Sequence, residues 1–195
     1  LEQDLLSHLA CLKLAEKFGG RVSVELHTDL AHDVSRTIEY GERFHEICPD
    51  HFIVKVPLTP EGILGARALC DQGIAVNFTL EFSARQNAVA AYGAKPDYVN
   101  VFLGRINSFI SSNELGTGDM AGEKATIASQ NALISIAEET GKRTKQIAAS
   151  LRSGDQVASL AGVDVYTMPT TVAAEAKANL DAAFSSHVDD VYETT

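Results

Sequence analysis

The strongest constraint on this chain is an alternation. Short apolar runs recur between segments patterned for helices: Val22-Ser-Val-Glu-Leu26, Phe52-Ile-Val-Lys-Val-Pro57, Ile74-Ala-Val-Asn-Phe-Thr-Leu80, Tyr98-Val-Asn-Val-Phe-Leu103, Gln146-Ile-Ala-Ala-Ser-Leu151 and Asp164-Val-Tyr-Thr-Met168. Strands separated by helices need crossover connections, so they build a parallel sheet with helices outside it. The intervening helices are read at residues 5–15, ended by Phe18-Gly-Gly20, and at about 30–48, stopped by Pro49. The next opens with Thr59 as N-cap and Pro60 at the first helical position. Further helices are expected over 82–92, about 123–140, briefly between the last two strands, and over 172–184. The polar, glycine-containing stretch 111–122 reads as a loop, and 185–195 as a polar, acidic tail.

Parallel strands of this kind form either an open doubly wound sheet or a barrel. The open sheet usually carries a glycine-rich G-x-G-x-x-G turn after its first strand, and none is present. Polar residues instead lie toward the C-terminal halves of nearly every strand: Glu25, Lys55, Asn77, Thr79, Asn100 and Arg105. (β/α)8 barrels build their sites at that face from several strands. The expected fold class is therefore α/β, a (β/α)8 TIM barrel forming a single domain over 1–195. Two of its strands are missing from this chain, and a barrel without two strands exposes two long edges. The chain also opens on Leu1, not methionine, directly in a helical pattern, so it reads as a piece of a longer polypeptide.

The net charge of -10, with basic residues scattered, argues against a nucleic-acid or membrane-surface partner. No stretch has the length of a membrane span and no signal peptide is visible. Cys11, Cys48 and Cys70 fit no zinc spacing, and their odd number argues against a disulfide framework. Cys11 and Cys70 fall in apolar helical patterns as buried free thiols, which suggests a reducing, cytoplasmic compartment. The six histidines form no H-E-x-x-H pattern; His27, Asp29 and His32 read as a solvated loop. No metal site is expected.

Lys55 stands inside an otherwise apolar strand. Burial of an ammonium is costly, and it lowers a lysine pKa, which supplies the neutral amine that attacks a carbonyl. Equally, the side chain can reach solvent from the strand end or pair with a carboxylate. Asn77 and Thr79 alternate, so they face one side; they suit substrate hydroxyls or satisfaction by backbone. Arg105 and Arg152 follow different strands and suit either a phosphate clamp or separate surface ion pairs. Ser83 has no Ser-His-Asp context, and Thr117-Gly-Asp-Met-Ala-Gly122 lacks the lysine and hydroxyl of a P-loop.

The order of these segments resembles the transaldolase family, Schiff-base enzymes on a (β/α)8 barrel. Five pieces carry the likeness, from about Arg21 to Thr171: Val22-Ser-Val-Glu25; Ile53-Val-Lys55-Val-Pro-Leu-Thr59 with Glu61-Gly62; Gly73-Ile-Ala-Val-Asn77-Phe-Thr79-Leu-Glu-Phe-Ser83; Asn100-Val-Phe102-Leu-Gly104-Arg105-Ile106; and Ala149-Ser-Leu-Arg152. They look like barrel strands three to seven. The resemblance implies that Lys55 forms a Schiff base with a ketose phosphate, sedoheptulose 7-phosphate or fructose 6-phosphate, and passes its dihydroxyacetone unit to an aldose phosphate in the pentose phosphate pathway. It implies that Glu25 holds the water relaying protons, with Thr79 also in the catalytic set. Asn77, Asn100, Phe102, Arg105 and Arg152 then bind substrate. No metal or organic cofactor is needed.

Small fructose-6-phosphate aldolases of the superfamily typically carry glutamine at the Glu25 position and tyrosine at the Phe102 position; this chain resembles true transaldolases at both. It departs in having Asn100 where many have serine and Asn107 where an acid is common. The family's first-strand aspartate and second-strand Thr-Asn-Pro-Ser-like segment are absent, and Asp29 and Asp33 follow Glu25 too closely to replace the aspartate. The alternatives are a fructose-6-phosphate aldolase-type enzyme and a non-catalytic binding or assembly protein. Exposed apolar helices leave room for a homo-oligomer.

Overall fold

The computed structural model describes residues 2–179 and 185–190. The chain divides into two compact units, Leu1–Thr79 with Gly93–Asp97, and Leu80–Tyr92 with Tyr98–Thr195.

In the first unit a helix, α1 (Glu2–Phe18), leads into β1 (Val22–Glu25), a 3-10 turn (Thr28–Leu30), α2 (Val34–Ile47), β2 (Phe52–Pro57), α3 (Pro60–Asp71) and β3 (Val76–Thr79). The strands are parallel and neighbours in chain order, with Val22 opposite Phe52 and Val54 opposite Val76. The central strand β2 is buried at every position but Lys55, as a strand covered on both faces should be. Asp33 caps α2 through the Arg36 N–H, and Thr59 caps α3 through the Gly62 N–H, with Pro60 opening the helix as expected. Two glycines let these helices close on each other: a Cβ at Gly41 would stand 2.5 Å from Leu69 Cδ1, and one at Gly65 would stand 2.5 Å from Thr37 Cγ2. Leu69 fills the core position here, and the neighbouring Cys70 is only half-buried, as is Cys11, contrary to the expected burial of both thiols.

The second unit holds most of α4 (Ala84–Ala94), then β4 (Tyr98–Phe102), α5 (Leu103–Ser112), α6 (Ala121–Thr140), β5 (Lys145–Ala149), α7 (Gly154–Ser159), β6 (Val165–Thr167) and α8 (Thr170–Asn179). Its strands too are parallel and in chain order, Asn100 opposite Ile147 and Ile147 opposite Val165. Val101, Leu103, Ile127, Ala148, Leu151 and Leu160 centre its core. A doubly wound sheet reverses its strand order at a switch point; neither unit does. Each follows the pattern of successive sectors of a (β/α)8 barrel.

Several expected boundaries move. The stretch read as a loop from 111 begins only after α5, a helix that the polar Asn107, Ser108 and Ser111 obscured although Leu103 and Ile106 face the core. Arg105 consequently lies in the first turn of that helix and not on a strand. β3 stops at Thr79 because Leu80 adopts φ +70°, and β5 stops at Ala149 because Ser150 adopts φ +65°; neither break is visible in apolar content. Residues 180–184, expected to end the last helix, and 191–195 of the tail lie outside the described residues. Among the described residues no helix is long and apolar enough to cross a membrane.

Candidate active site

In the first unit, register brings three polar residues into one row. Glu25 stands opposite Lys55, and Lys55 opposite Asn77. Side chains at paired positions of parallel strands leave the same face of the sheet. The Lys55 Nζ donates to Glu25 Oε2 at 3.1 Å; the lysine side chain is 22% exposed and the carboxylate 53%. The pairing expected of an ordinary strand lysine is thus present, and its partner is the residue that the resemblance assigns to proton relay. Asn77 and Thr79 are both buried, and Asn77 donates its amide to Ser23 Oγ at 3.0 Å. Ser23 was overlooked in the sequence. The signal was there: it alternates with Glu25 and so shares its face.

In the second unit, Asn100 and Phe102 alternate on β4. The Asn100 backbone is held by two side chains: its N–H donates to Glu81 Oε1 at 3.1 Å, and its carbonyl accepts from Asn87 Nδ2 at 2.9 Å. Glu81 and Asn87 are fully buried. Asn87 also donates to Ser129 Oγ and Gln146 Oε1, completing a polar cluster that sequence reasoning missed because its members lie on four separate elements. Phe102 packs against Phe82, ring centres 5.9 Å apart, and the Arg105 guanidinium lies 5.1 Å from the Phe102 ring centre, within cation–π range.

Arg152 packs against Gly104, in the first turn of α5. A Cβ on Gly104 would stand 2.1 Å from the Ser150 carbonyl oxygen, 3.0 Å from Arg152 Cγ and 3.1 Å from Arg152 Nε. Only glycine lets the Arg152 segment lie across the start of α5 at Gly104, one residue before Arg105 in the chain. Both arginines are exposed, and among the described residues neither forms an ion pair. The N-cap of α5, Phe102, offers no side-chain hydrogen bond to the helix start. Two guanidinium forks beside an uncapped helix N-terminus are suited to an anion such as phosphate.

The remaining candidates have local roles. Ser83 caps α4, its Oγ accepting from the Gln86 N–H at 3.3 Å. His27 Nδ1 accepts from the Asp29 N–H at 3.2 Å. His32 pairs with Glu61 at 3.2 Å, and the Glu61 backbone N–H together with His32 holds that carboxyl below its usual range. Among the described residues no three His, Cys, Asp or Glu side chains gather in a way that could hold a metal ion. The 117–122 turn lies on α5: a Cβ at Gly118 would stand 2.3 Å from the Asn107 carbonyl oxygen.

The chain matches the model of the transaldolase/fructose-6-phosphate aldolase family over residues 3–194 and belongs to that family. A probable transaldolase of Dictyostelium discoideum is 32% identical over 196 residues, covering 93% of this chain and 60% of that protein. A transaldolase of Chlamydia muridarum is 34% identical over 172 residues, 85% of this chain and 52% of that one. A probable transaldolase of Kosmotoga olearia is 38% identical over 125 residues, 63% of this chain and 51% of that one. The chain therefore spans about half to three fifths of the length of these relatives. A solved structure titled as an IMP dehydrogenase/GMP reductase-like protein from Corynebacterium glutamicum superposes with a TM-score of 0.53 at 12% identity, over 85% of this chain and 43% of that chain. At that identity the likeness concerns the fold alone.

Proposed function

We propose that this chain acts in a transaldolase, transferring a dihydroxyacetone unit between sugar phosphates through a Schiff base on Lys55. The observation that carries this reading is the row Glu25, Lys55, Asn77: a lysine side chain mostly buried in the strand, its amine held 3.1 Å from a carboxylate that water reaches. The Lys55 amine adds to the C2 carbonyl of the ketose phosphate, and loss of water from the carbinolamine gives the iminium. A general base, the role that the resemblance gives to an aspartate outside this sequence, takes the C4 hydroxyl proton; the C3–C4 bond breaks, its electron pair moves into the iminium to leave an enamine, and the aldose phosphate departs. The enamine then adds to the acceptor aldehyde, and hydrolysis frees the lysine. Glu25 holds the water that exchanges protons in the addition and dehydration steps. Asn77 and Thr79 receive substrate hydroxyls or that water, Asn100 and Phe102 contact the sugar, and Arg105 and Arg152 take its phosphate.

Sedoheptulose 7-phosphate or fructose 6-phosphate as donor places the reaction in pentose phosphate metabolism. The free thiols Cys11, Cys48 and Cys70 fit a reducing compartment such as the cytoplasm. Glu25 and Phe102, together with Arg152, favour transfer over free aldol cleavage, because the small fructose-6-phosphate aldolases typically carry glutamine and tyrosine at the first two positions.

The test is the intact mass of the full-length protein after incubation with fructose 6-phosphate and borohydride, followed by peptide mapping. A dihydroxyacetone-sized adduct on Lys55 supports the reading. Its absence from a folded full-length protein overturns it, and leaves a binding or assembly role.

A further inference from the structure

Glu123 lies in the first turn of α6 and is 3% exposed. Its carboxylate is engaged on both sides: Oε2 accepts from Asn107 Nδ2 at 2.9 Å, and Oε1 from Gln156 Nε2 at 2.7 Å. Neither amide is free to turn round. Asn107 Oδ1 accepts from the Gly122 N–H at 2.7 Å. Gln156 Oε1 accepts from the N–H groups of Arg152 at 2.6 Å and Ser153 at 3.3 Å. Both ends of this hydrogen-bonded chain are thus fixed in polarity by backbone donors, and the residue between the two amides must accept from both. A carboxylate does so; a carboxamide in the same space would set one donor against another.

The two arms lead to the two arginines. Asn107 is two residues beyond Arg105 on α5, and Gln156 holds the backbone N–H of Arg152 itself. Around them the segments meet backbone to backbone. A Cβ at Gly122 would stand 2.3 Å from the Leu103 carbonyl oxygen, and one at Gly104 would stand 2.1 Å from the Ser150 carbonyl oxygen. At such separations a rearranged side-chain network shifts the segments, since a closely packed region cannot absorb it.

We infer that Glu123 is a positioning residue: it sets the spacing between Arg105 and Arg152, and through that spacing the affinity for a phosphate monoester or free phosphate, without touching the ligand. The inference rests on the reading of the two arginines as the phosphate clamp.

The experiment uses the full-length protein and compares Glu123→Gln, Arg152→Ala and the double variant Glu123→Gln/Gln156→Glu. Readouts are KM and kcat for fructose 6-phosphate, kcat/KM for unphosphorylated fructose, and inhibition by inorganic phosphate. Glu123→Gln is expected to raise KM for fructose 6-phosphate about tenfold and to weaken phosphate inhibition in step, with kcat within about twofold and fructose turnover unchanged. The double variant restores both to within about threefold, because it reverses the polarity of one bond while keeping every backbone donor satisfied. If Arg152→Ala leaves phosphate inhibition unchanged, the clamp reading fails and the inference falls with it. If Arg152→Ala weakens inhibition but Glu123→Gln does not, or if Glu123→Gln slows fructose as much as fructose 6-phosphate, Glu123 is only structural. Should Glu123→Gln fail to fold, Gln156→Met severs the same link from its half-buried end; unchanged phosphate inhibition in that variant overturns the inference.

Discussion

Glu25 and Lys55 face each other across β1 and β2, residue opposite residue in the parallel ladder, with Nζ 3.1 Å from Oε2. A pair with a half-exposed carboxylate contributes only about 0–1 kcal/mol to stability, so holding the sheet together is not enough to explain a lysine in an apolar strand. Lys55→Met keeps the aliphatic stem and removes the amine. It is expected to leave the free energy of urea unfolding within about 1 kcal/mol of the parent and to abolish the borohydride-trapped adduct. Glu25→Gln keeps the lysine; the adduct still forms, but single-turnover trapping slows by about a hundredfold or more. An adduct that survives Lys55→Met would place the chemistry elsewhere.

Burial pushes the Tyr166 hydroxyl above the ordinary tyrosine range, and the hydroxyl donates to the Leu160 carbonyl at 2.6 Å. Tyr92 is shifted the same way by its hydrogen bond to Glu139 Oε2 at 2.5 Å. A folded state that favours the neutral phenol gains stability in full below the unfolded pKa and loses it as pH rises through the higher folded value. The urea midpoint is therefore expected to fall above about pH 10. Tyr166→Phe is expected to remove part of that slope and Tyr166→Phe/Tyr92→Phe a larger part, the Cys11 thiol, which burial also pushes up, keeping its own share. Midpoints measured between about pH 8 and 11 check this, and an unchanged slope in the double variant excludes both phenols.

How far the sequence reached depended on whether a signal was local. Lys55 was conspicuous because it interrupts an apolar run, and all six strands were visible as such runs. α5 was not, because Asn107, Ser108 and Ser111 dilute its apolar face, and its buried side is narrow. The ends of β3 and β5 turn on positive φ at Leu80 and Ser150, a backbone property that these residue types do not announce. Long-range polar partners were the least legible. Glu123 and Gln156 are separated by 33 residues, and nothing in either segment tells which amide meets which carboxylate.

Gly104 and Gly62 both sit where a side chain has no room, and they separate stability from binding. A Cβ at Gly62 would stand 2.2 Å from the Pro57 carbonyl oxygen, at the start of α3. One at Gly104 meets the Ser150 carbonyl and the Arg152 side chain. Each alanine variant is expected to lose about 1–3 kcal/mol by urea unfolding, since backbone oxygen cannot step aside cheaply. Gly104→Ala alone should also weaken phosphate inhibition, because it displaces Arg152. Equal phosphate inhibition in the two variants would detach Gly104 from the anion site.

Three acceptors converge on one nitrogen at Asn87: the Asn100 carbonyl at 2.9 Å, Ser129 Oγ at 2.8 Å and Gln146 Oε1 at 3.2 Å. Asn87→Ala removes the donor and opens a cavity beside buried oxygens, for an expected loss of about 2–4 kcal/mol. Asn87→Asp is expected to cost more at neutral pH, although it is nearly isosteric, because it sets a charged oxygen against the same acceptors. Protonation restores a donor, so the deficit of the aspartate variant should shrink as pH falls, whereas that of the alanine variant stays constant. Urea midpoints at about pH 7 and pH 4.5 distinguish them, the lower value lying near the ordinary carboxylate range. Identical deficits for aspartate and alanine at both pH values would mean that the nitrogen fills space and does not organise the strand.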